Sequence, residues 1–149
     1  MIRIEKEAWA DMLAHAIATY PQECCGTMLG LHEAGIKRVT RAIALENTSQ
    51  APRASRYEVR PEDLIEVERL ARREGVALLG IYHSHPDCEA YFSETDLRNS
   101  CPWYSFLVLS IRGGKFHDAN SWLPDVEQTR AEQEILSYPD LEGVLCQKY

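Results

Sequence analysis

The sequence predicts a domain of the α/β (α+β) class, in which a mixed β-sheet is flanked by two main helices. Two amphipathic helix patterns and a series of short strand patterns point to it. In the first helix pattern, residues 5–19, apolar side chains recur at helical spacing from Trp9 onwards. The second begins at Pro61 and ends before Gly75, with acidic residues in its first turn and arginines in its last. Both helices are expected to bury one face against the sheet.

The strands are predicted from runs of alternating or continuous apolar residues. The run at 76–82, VALLGIY, is almost entirely apolar, which is typical of a strand covered on both faces in the middle of a sheet. Further strands are predicted at residues 2–4, 25–31, 36–45, 56–59, 105–111 and 115–122, with turns at 33–35 and 113–114. Residues 47–55 have the composition of a surface loop. The pattern of residues 128–136 fits either a helix or an edge strand.

Length and composition exclude several classes of protein. The 149 residues suit one domain, residues 1–149, that can bury a core without disulfides. The formal net charge of −7 argues against a nucleic-acid partner. The charged start of the chain and the lack of an apolar run of about 18 residues argue against a signal peptide and a membrane span. Five cysteines without a paired Cys-x-x-Cys pattern are expected to stay reduced, so we expect a cytoplasmic protein.

The stretch GIYHSHPDCEAYFSETD, residues 80–96, contains a candidate metal site. His83 and His85 are two positions apart, so on a strand both imidazoles project from one face while Ser84 points to the other. Pro86 ends that strand and leaves both rings at its end. Asp96 follows after a loop and a helical turn that can bring its carboxylate back. Two histidines and one carboxylate make a catalytic zinc set with an open fourth position.

Parts of this pattern, taken singly, also occur in proteins that bind no metal. Ser93-Glu94-Thr95-Asp96 is typical of a helix N-terminus, in which Ser93 caps the helix and Asp96 reaches back. A His-x-His pair alone is more often a surface or core pair than a metal site. A zinc nucleobase deaminase needs His-x-Glu followed by Pro-Cys-x-x-Cys, but position 85 is histidine and Cys88 has no cysteine three residues later. The joint spacing therefore favours the zinc site.

The pattern His-x-His-Pro-x6-Ser-x-x-Asp resembles the JAMM motif of the MPN-domain metalloproteases, which include deubiquitinating enzymes and their bacterial and archaeal relatives. The resemblance covers about residues 1–123 and leaves 124–149 as a C-terminal segment of uncertain structure. It implies a single MPN-type domain with a cytidine-deaminase-like fold. It also implies that Zn²⁺ is held by His83, His85 and Asp96.

The same resemblance implies roles for residues outside the ligand set. Glu23, which by itself is typical of a solvated turn, matches the general base, and Ser93 matches the serine that hydrogen-bonds the oxyanion. Cys88 lies near the site between motif positions, where it could be a fourth ligand, a redox-active residue or, most often, a small buried residue.

The implied function is a zinc-dependent peptidase or isopeptidase. Its expected partner is a ubiquitin-like or sulfur-carrier protein, hydrolysed at the amide bond after a C-terminal Gly-Gly. The chain has no long insertion after the motif and resembles compact bacterial and archaeal members. The alternative is a non-catalytic MPN module that only binds partners, although every motif residue is present.

Overall fold

The computed structural model describes residues 1–140 and 145–148. Three helices and nine strands occur in this part of the chain. In chain order they are β1 (Ile2–Ile4), α1 (Lys6–Thr19), β2 (Cys25–Glu33), β3 (Ile36–Leu45), α2 (Pro61–Glu74), β4 (Ala77–Pro86), α3 (Glu94–Arg98), β5 (Ser105–Arg112), β6 (Lys115–Pro124), β7 (Ala131–Glu134), β8 (Leu136–Pro139) and β9 (Leu145–Lys148).

The nine strands form one mixed sheet in the order β7-β6-β5-β4-β2-β3-β1-β8-β9. β4 lies inside the sheet, antiparallel to β2 and parallel to β5. A parallel pair needs a crossover connection, and the connection from β4 to β5 contains α3. The end of β4 and the residues that follow it therefore lead directly into α3.

The two main helices pack against opposite faces of the sheet. Trp9 of α1 belongs to a large apolar core that includes Met28 of β2, whereas Val67 of α2 packs with Leu29, the next residue of that strand. Successive residues of a strand point to opposite faces, so these contacts place one helix on each side. The predicted class, a mixed sheet flanked by two main helices, is confirmed.

Most predicted elements agree with the structure. Both helices, the hairpins at 33–35 and 113–114, and the apolar central strand occur where the patterns indicated. Gly75 ends α2 in the left-handed conformation, with a φ of 70° that glycine adopts without strain.

The prediction of a strand at residues 56–59 is wrong. This stretch has no regular secondary structure and pairs with none of the nine described strands. The Asn47 side chain donates to the Arg56 carbonyl and accepts from the Glu58 amide, so a side chain takes backbone hydrogen bonds that a neighbouring strand would otherwise make.

The C-terminal segment resolves the choice between helix and edge strand at residues 128–136. Ala131–Glu134 form β7 at one edge of the sheet, and β8 pairs with β1 and β9. Residues 141–144 and 149 of that segment lie outside the described residues. Among the helices that the structure describes, none has the length and apolar character to cross a bilayer.

Candidate active site

The two histidines lie at the C-terminal end of β4, where the strand leaves the sheet. His83 and His85 are 0% and 5% exposed, and their Nε2 atoms lie 3.2 Å apart. Because they are two residues apart on a strand, both rings lie on the same face, as predicted. Ile81, two residues earlier, lines the same cleft and provides an apolar floor.

Asp96 reaches the histidines from the first turn of α3. Its Oδ2 lies 3.5 Å from the His83 Nε2 and 3.6 Å from the His85 Nε2. The Ser93 hydroxyl accepts from the Asp96 amide at 3.0 Å, while Asp96 Oδ2 accepts from the Ser93 amide at 2.9 Å. These reciprocal bonds are a capping box. The helix-cap interpretation and the metal-site interpretation of this segment therefore describe the same side chain.

The three donor atoms have the spacing of a tetrahedral zinc site. Their separations of 3.2, 3.5 and 3.6 Å bracket the 3.3–3.4 Å that tetrahedral ligands at about 2.0–2.1 Å from a common ion would have. A point equidistant from the three atoms lies about 2.0 Å from each of them, within the normal range for nitrogen and oxygen ligands of zinc. All three side chains are buried. The residues present therefore fit the metal ion that the motif implies.

The surroundings of the His85 ring leave its Nε2 atom free to act as a ligand. His85 Nδ1 lies 3.0 Å from the Glu89 carbonyl oxygen, which only accepts, so the ring proton lies on Nδ1 and the Nε2 lone pair faces the site. The His83 ring stacks on Tyr57, with ring centroids 4.4 Å apart. His83 Nδ1 is buried and has no hydrogen-bond partner among the described residues.

Burial and the carboxylate act in opposite directions on the histidines. Burial lowers the pKa of His83 below its usual value, against the raising effect of Asp96. For His85, burial also lowers the pKa, but the hydrogen bonds to Asp96 and Glu89 together outweigh it and the pKa is raised. Although burial raises the pKa of Asp96, the two histidines and Ser93 lower it more, and the net direction is downward. Asp96 is therefore an ionised carboxylate over the whole physiological pH range.

Glu23 lies immediately before β2, at the same end of the sheet as the histidines. Its side chain is 5% exposed, and burial raises its pKa to about 7, with a smaller lowering effect from His85 and a raising effect from Asp96. Its amide donates to the Arg53 carbonyl at 2.7 Å. A solvated turn residue would have neither the burial nor this pKa, so the solvated-turn interpretation does not hold.

Ser84 holds the backbone of Cys24, the residue that follows Glu23, by two hydrogen bonds. Its Oγ accepts from the Cys24 amide at 2.9 Å, and its own amide donates to the Cys24 carbonyl at 3.2 Å. Ser84 points away from the face that carries the two histidines. Along β4, therefore, His83 and His85 face the candidate metal site, and Ser84 between them bonds the segment that carries Glu23.

Glu23, His85 and Asp96 line a cleft of about 760 Å³, and His83 is buried behind its wall. Ser93 is part of its wall, but the Ser93 hydroxyl donates to Asp96 Oδ2 at 2.6 Å. Cys88 also lines the cleft and is exposed, so its interpretation as a small buried residue is wrong. It does not join the group of donor atoms formed by His83, His85 and Asp96. The turn at Asp87, with a φ of 56°, directs the chain outwards at this point.

Sequence reasoning missed three residues that shape this cleft. Tyr57 stacks on His83, and the Tyr91 ring lies 4.9 Å from that of His85, so aromatic rings flank both histidines. Asn47 binds the backbone of the segment that carries Tyr57. All three lie in loops, and no periodic pattern distinguishes them from other loop residues. The one signal that could have identified Tyr57 is that it is an aromatic residue among polar neighbours.

The protein family described as prokaryotic homologs of the JAB domain matches residues 5–125 of this chain. The chain is 34% identical over 129 residues to a desampylase of Haloferax volcanii, covering 83% of this chain and 89% of that protein. It is 30% identical over 112 residues to a CysO-cysteine peptidase of Mycobacterium tuberculosis, covering 74% of each. A probable TtuB-protein conjugate cleaving protease of Thermus thermophilus is 34% identical over 100 residues, covering 67% of this chain and 64% of that protein.

Solved structures agree with these sequence relationships. The solution structure of protein DSY2949 from Desulfitobacterium hafniense superimposes with a TM-score of 0.81 and 28% identity, covering 94% of each chain. A solution structure from Salinibacter ruber has a TM-score of 0.70 at 28% identity, covering 95% of this chain and 94% of that one. The chain therefore belongs to the prokaryotic homologs of the JAB domain, and with them to the JAMM/MPN family of peptidases.

Proposed function

We propose that this protein is a zinc-dependent peptidase or isopeptidase that hydrolyses the amide bond after the C-terminal Gly-Gly of a ubiquitin-like or sulfur-carrier protein. The observation that carries the proposal is the convergence of His83, His85 and Asp96 at ligand spacing, beside a cleft that is lined by His85, Asp96 and the buried Glu23. His83, His85 and Asp96 are the proposed metal ligands. Glu23 is the proposed general base.

Zinc bound by these three residues supplies a water of pKa about 7 and a Lewis acid for the amide carbonyl. The proposed role of Glu23 is supported by its buried position in the cleft, and in the metal-free protein this burial raises its pKa to about 7. A carboxylate that is not itself a metal ligand can take a proton from the attacking water and return it to the leaving amine. Glutamine at this position would keep the shape and remove the proton transfer.

Ser93 is the proposed donor to the oxyanion. In the structure its hydroxyl donates to Asp96, so this role requires the O–H to rotate from Asp96 towards the substrate oxygen. The Ser93 amide donates to Asp96 Oδ2 as well, so the carboxylate keeps one of its two contacts with Ser93 after the rotation. A hydroxyl aimed at developing charge in a water-excluded site contributes on the order of 3 kcal/mol to the reaction.

The diglycine specificity is supported by the walls of the cleft. Tyr57 and Tyr91 place rings beside the two histidines, which narrows the approach and favours residues without side chains. Residues 56–59 line the cleft outside the sheet, where a substrate tail can lie alongside them in an extended conformation. Relatives named as a desampylase, a CysO-cysteine peptidase and a protein-conjugate cleaving protease support a protein-linked substrate.

A non-catalytic binding module is the less favoured alternative, because the ligand set and the buried carboxyl are both present. Its function would not require donor atoms at zinc spacing.

The five cysteines, all within the described residues, form no disulfides, which supports the proposal that the enzyme acts in the cytoplasm.

The test uses a ubiquitin-fold carrier protein that ends in Gly-Gly followed by one additional cysteine. After incubation with the zinc-loaded enzyme, mass spectrometry should detect loss of that single residue. The matched substrate ends in Gly-Val before the same cysteine and should stay intact. Loss of the residue from neither substrate, with about one zinc per chain bound, would count against the peptidase proposal, and equal cleavage of both would reject the diglycine specificity.

A further inference from the structure

Asn47 uses every hydrogen-bonding position of its side-chain amide. Its Nδ2 donates to the Glu23 carbonyl at 3.2 Å and to the Arg56 carbonyl at 2.9 Å. Its Oδ1 accepts from the amides of Ser49 and Glu58, both at 3.1 Å. An asparagine side chain has two N–H donors and an oxygen with two lone pairs, so all four positions are filled.

Three of these four bonds connect segments that are distant in the sequence. The bond from the Ser49 amide is local and closes an ordinary Asx turn. The others reach residues 9, 11 and 24 positions away. A turn would need only the local bond, so the turn does not explain the remaining three.

The distant partners are Glu23, which is the proposed general base, and two residues of the stretch that lines the cleft. Glu23 is held through its own carbonyl. Arg56 and Glu58 flank Tyr57, whose ring stacks on His83. A second contact supports the same arrangement, because the Glu23 amide donates to the Arg53 carbonyl of this loop at 2.7 Å. One side chain therefore joins the carboxyl-bearing segment to the stretch that covers one of the two site histidines.

We propose that Asn47 is a positioning residue for hydrolysis, which holds Glu23 and the Tyr57 wall in one fixed spatial relation. This inference rests on the proposed function. Aspartate has the shape and the acceptors but lacks both donors, alanine has neither, and glutamine has the same groups but carries them on a side chain longer by one methylene. Without the two donors, the Glu23 and Arg56 carbonyls lose a partner and the loop is no longer tied to the base.

Amide hydrogen exchange in the 149-residue chain tests, without requiring activity, whether Asn47 connects the Glu23 segment to the loop. Asn47→Ala should accelerate exchange at Ser49, Glu58 and the distant Glu23 amide by about tenfold, the effect of one lost hydrogen bond. Asn47→Asp should leave Ser49 and Glu58 protected and accelerate Glu23 alone. Ser55→Ala is the matched control, because within the described part of the chain the Ser55 hydroxyl bonds only to the Pro52 carbonyl of the same loop. It should leave Glu23 unchanged.

Turnover of the carrier substrate provides the second measurement. Both Asn47 variants should bind about one zinc per chain and show at least tenfold lower kcat than the unmodified enzyme. Unchanged exchange at Glu23 in both variants would overturn the inference, as would full kcat with zinc bound. If the unmodified enzyme does not cleave the carrier, the proposed function fails, while the exchange data still decide whether Asn47 ties the two segments. If Asn47→Ala does not fold, the isosteric Asn47→Asp variant carries the same test.

Discussion

Burial of the Glu23 carboxyl gives the metal-free protein a pH dependence of stability that Glu23→Gln should remove. The pKa of Glu23 rises from 4.5 to about 7 on folding, because burial disfavours the charged form. Between these values the folded chain holds a proton that the unfolded chain has released. The free energy of unfolding therefore falls as the pH rises from below 4.5 to above 7.

The size of this effect follows from the shift. At about 1.4 kcal/mol per pKa unit, a rise from 4.5 to about 7 corresponds to about 3 kcal/mol of lost stability well above pH 7. Roughly 2.5 kcal/mol of that loss occurs between pH 5 and pH 8, because the unfolded chain is already partly ionised at pH 5. Glutamine does not titrate, so the variant lacks this contribution.

Urea unfolding of EDTA-treated protein measures the effect. The difference in unfolding free energy between Glu23→Gln and the unmodified protein should move by about 2.5 kcal/mol in favour of the variant from pH 5 to pH 8. Any pH-independent change in unfolding free energy that the substitution causes cancels, because only the change between the two pH values is compared. A difference that stays within about 0.5 kcal/mol over that pH range would refute the claim that the carboxyl is buried with a raised pKa.

The remaining predictions concern zinc and turnover. His85→Ala and Asp96→Asn should each lower bound zinc well below one per chain, as measured by elemental analysis after dialysis, and normal zinc content in either would reject it as a ligand. Ser93→Ala should lower kcat by about 10²–10³ while Ser93→Thr, which keeps a hydroxyl, keeps most activity; equal losses in both would argue against the oxyanion role. Ser84→Ala should keep zinc but lower kcat about tenfold by freeing the Cys24 amide, and Ser84→Thr should restore it. Full activity of Ser84→Ala would show that this bond does not position Glu23.

The grouping of the three proposed ligands could be predicted from the sequence because its geometry is local. His83 and His85 share a face of one strand, and Asp96 follows within one loop and one helical turn. Glu23 was identified only through the family resemblance, because nothing near it in the sequence distinguishes it from a turn residue. Its burial depends on the pairing of β2 with β4 and on contacts with a loop some 30 residues away.

The incorrect predictions fall where side chains replace regular backbone pairing. Residues 56–59 have a strand pattern, yet they are not a strand. The Asn47 side chain takes the backbone hydrogen bonds at Arg56 and Glu58 that a neighbouring strand would otherwise make. Cys88 was expected to be buried from its residue type, but the Asp87 carboxylate accepts from the Tyr20 hydroxyl and the Gly113 amide and fixes an outward turn. Such contacts join residues about 10 to 70 positions apart and leave no periodic trace in the sequence.

The capping box of α3 links the binding of an ion to local folding. A helix of five residues is far too short to persist alone in water, and its first turn is closed by the same Asp96 oxygen that faces the histidines. Releasing that oxygen would fray the helix, and fraying the helix would withdraw the oxygen. Order in this one turn and binding of a cation are therefore thermodynamically linked, and chelation should be visible as a change in the spectroscopic signals of residues 93–98.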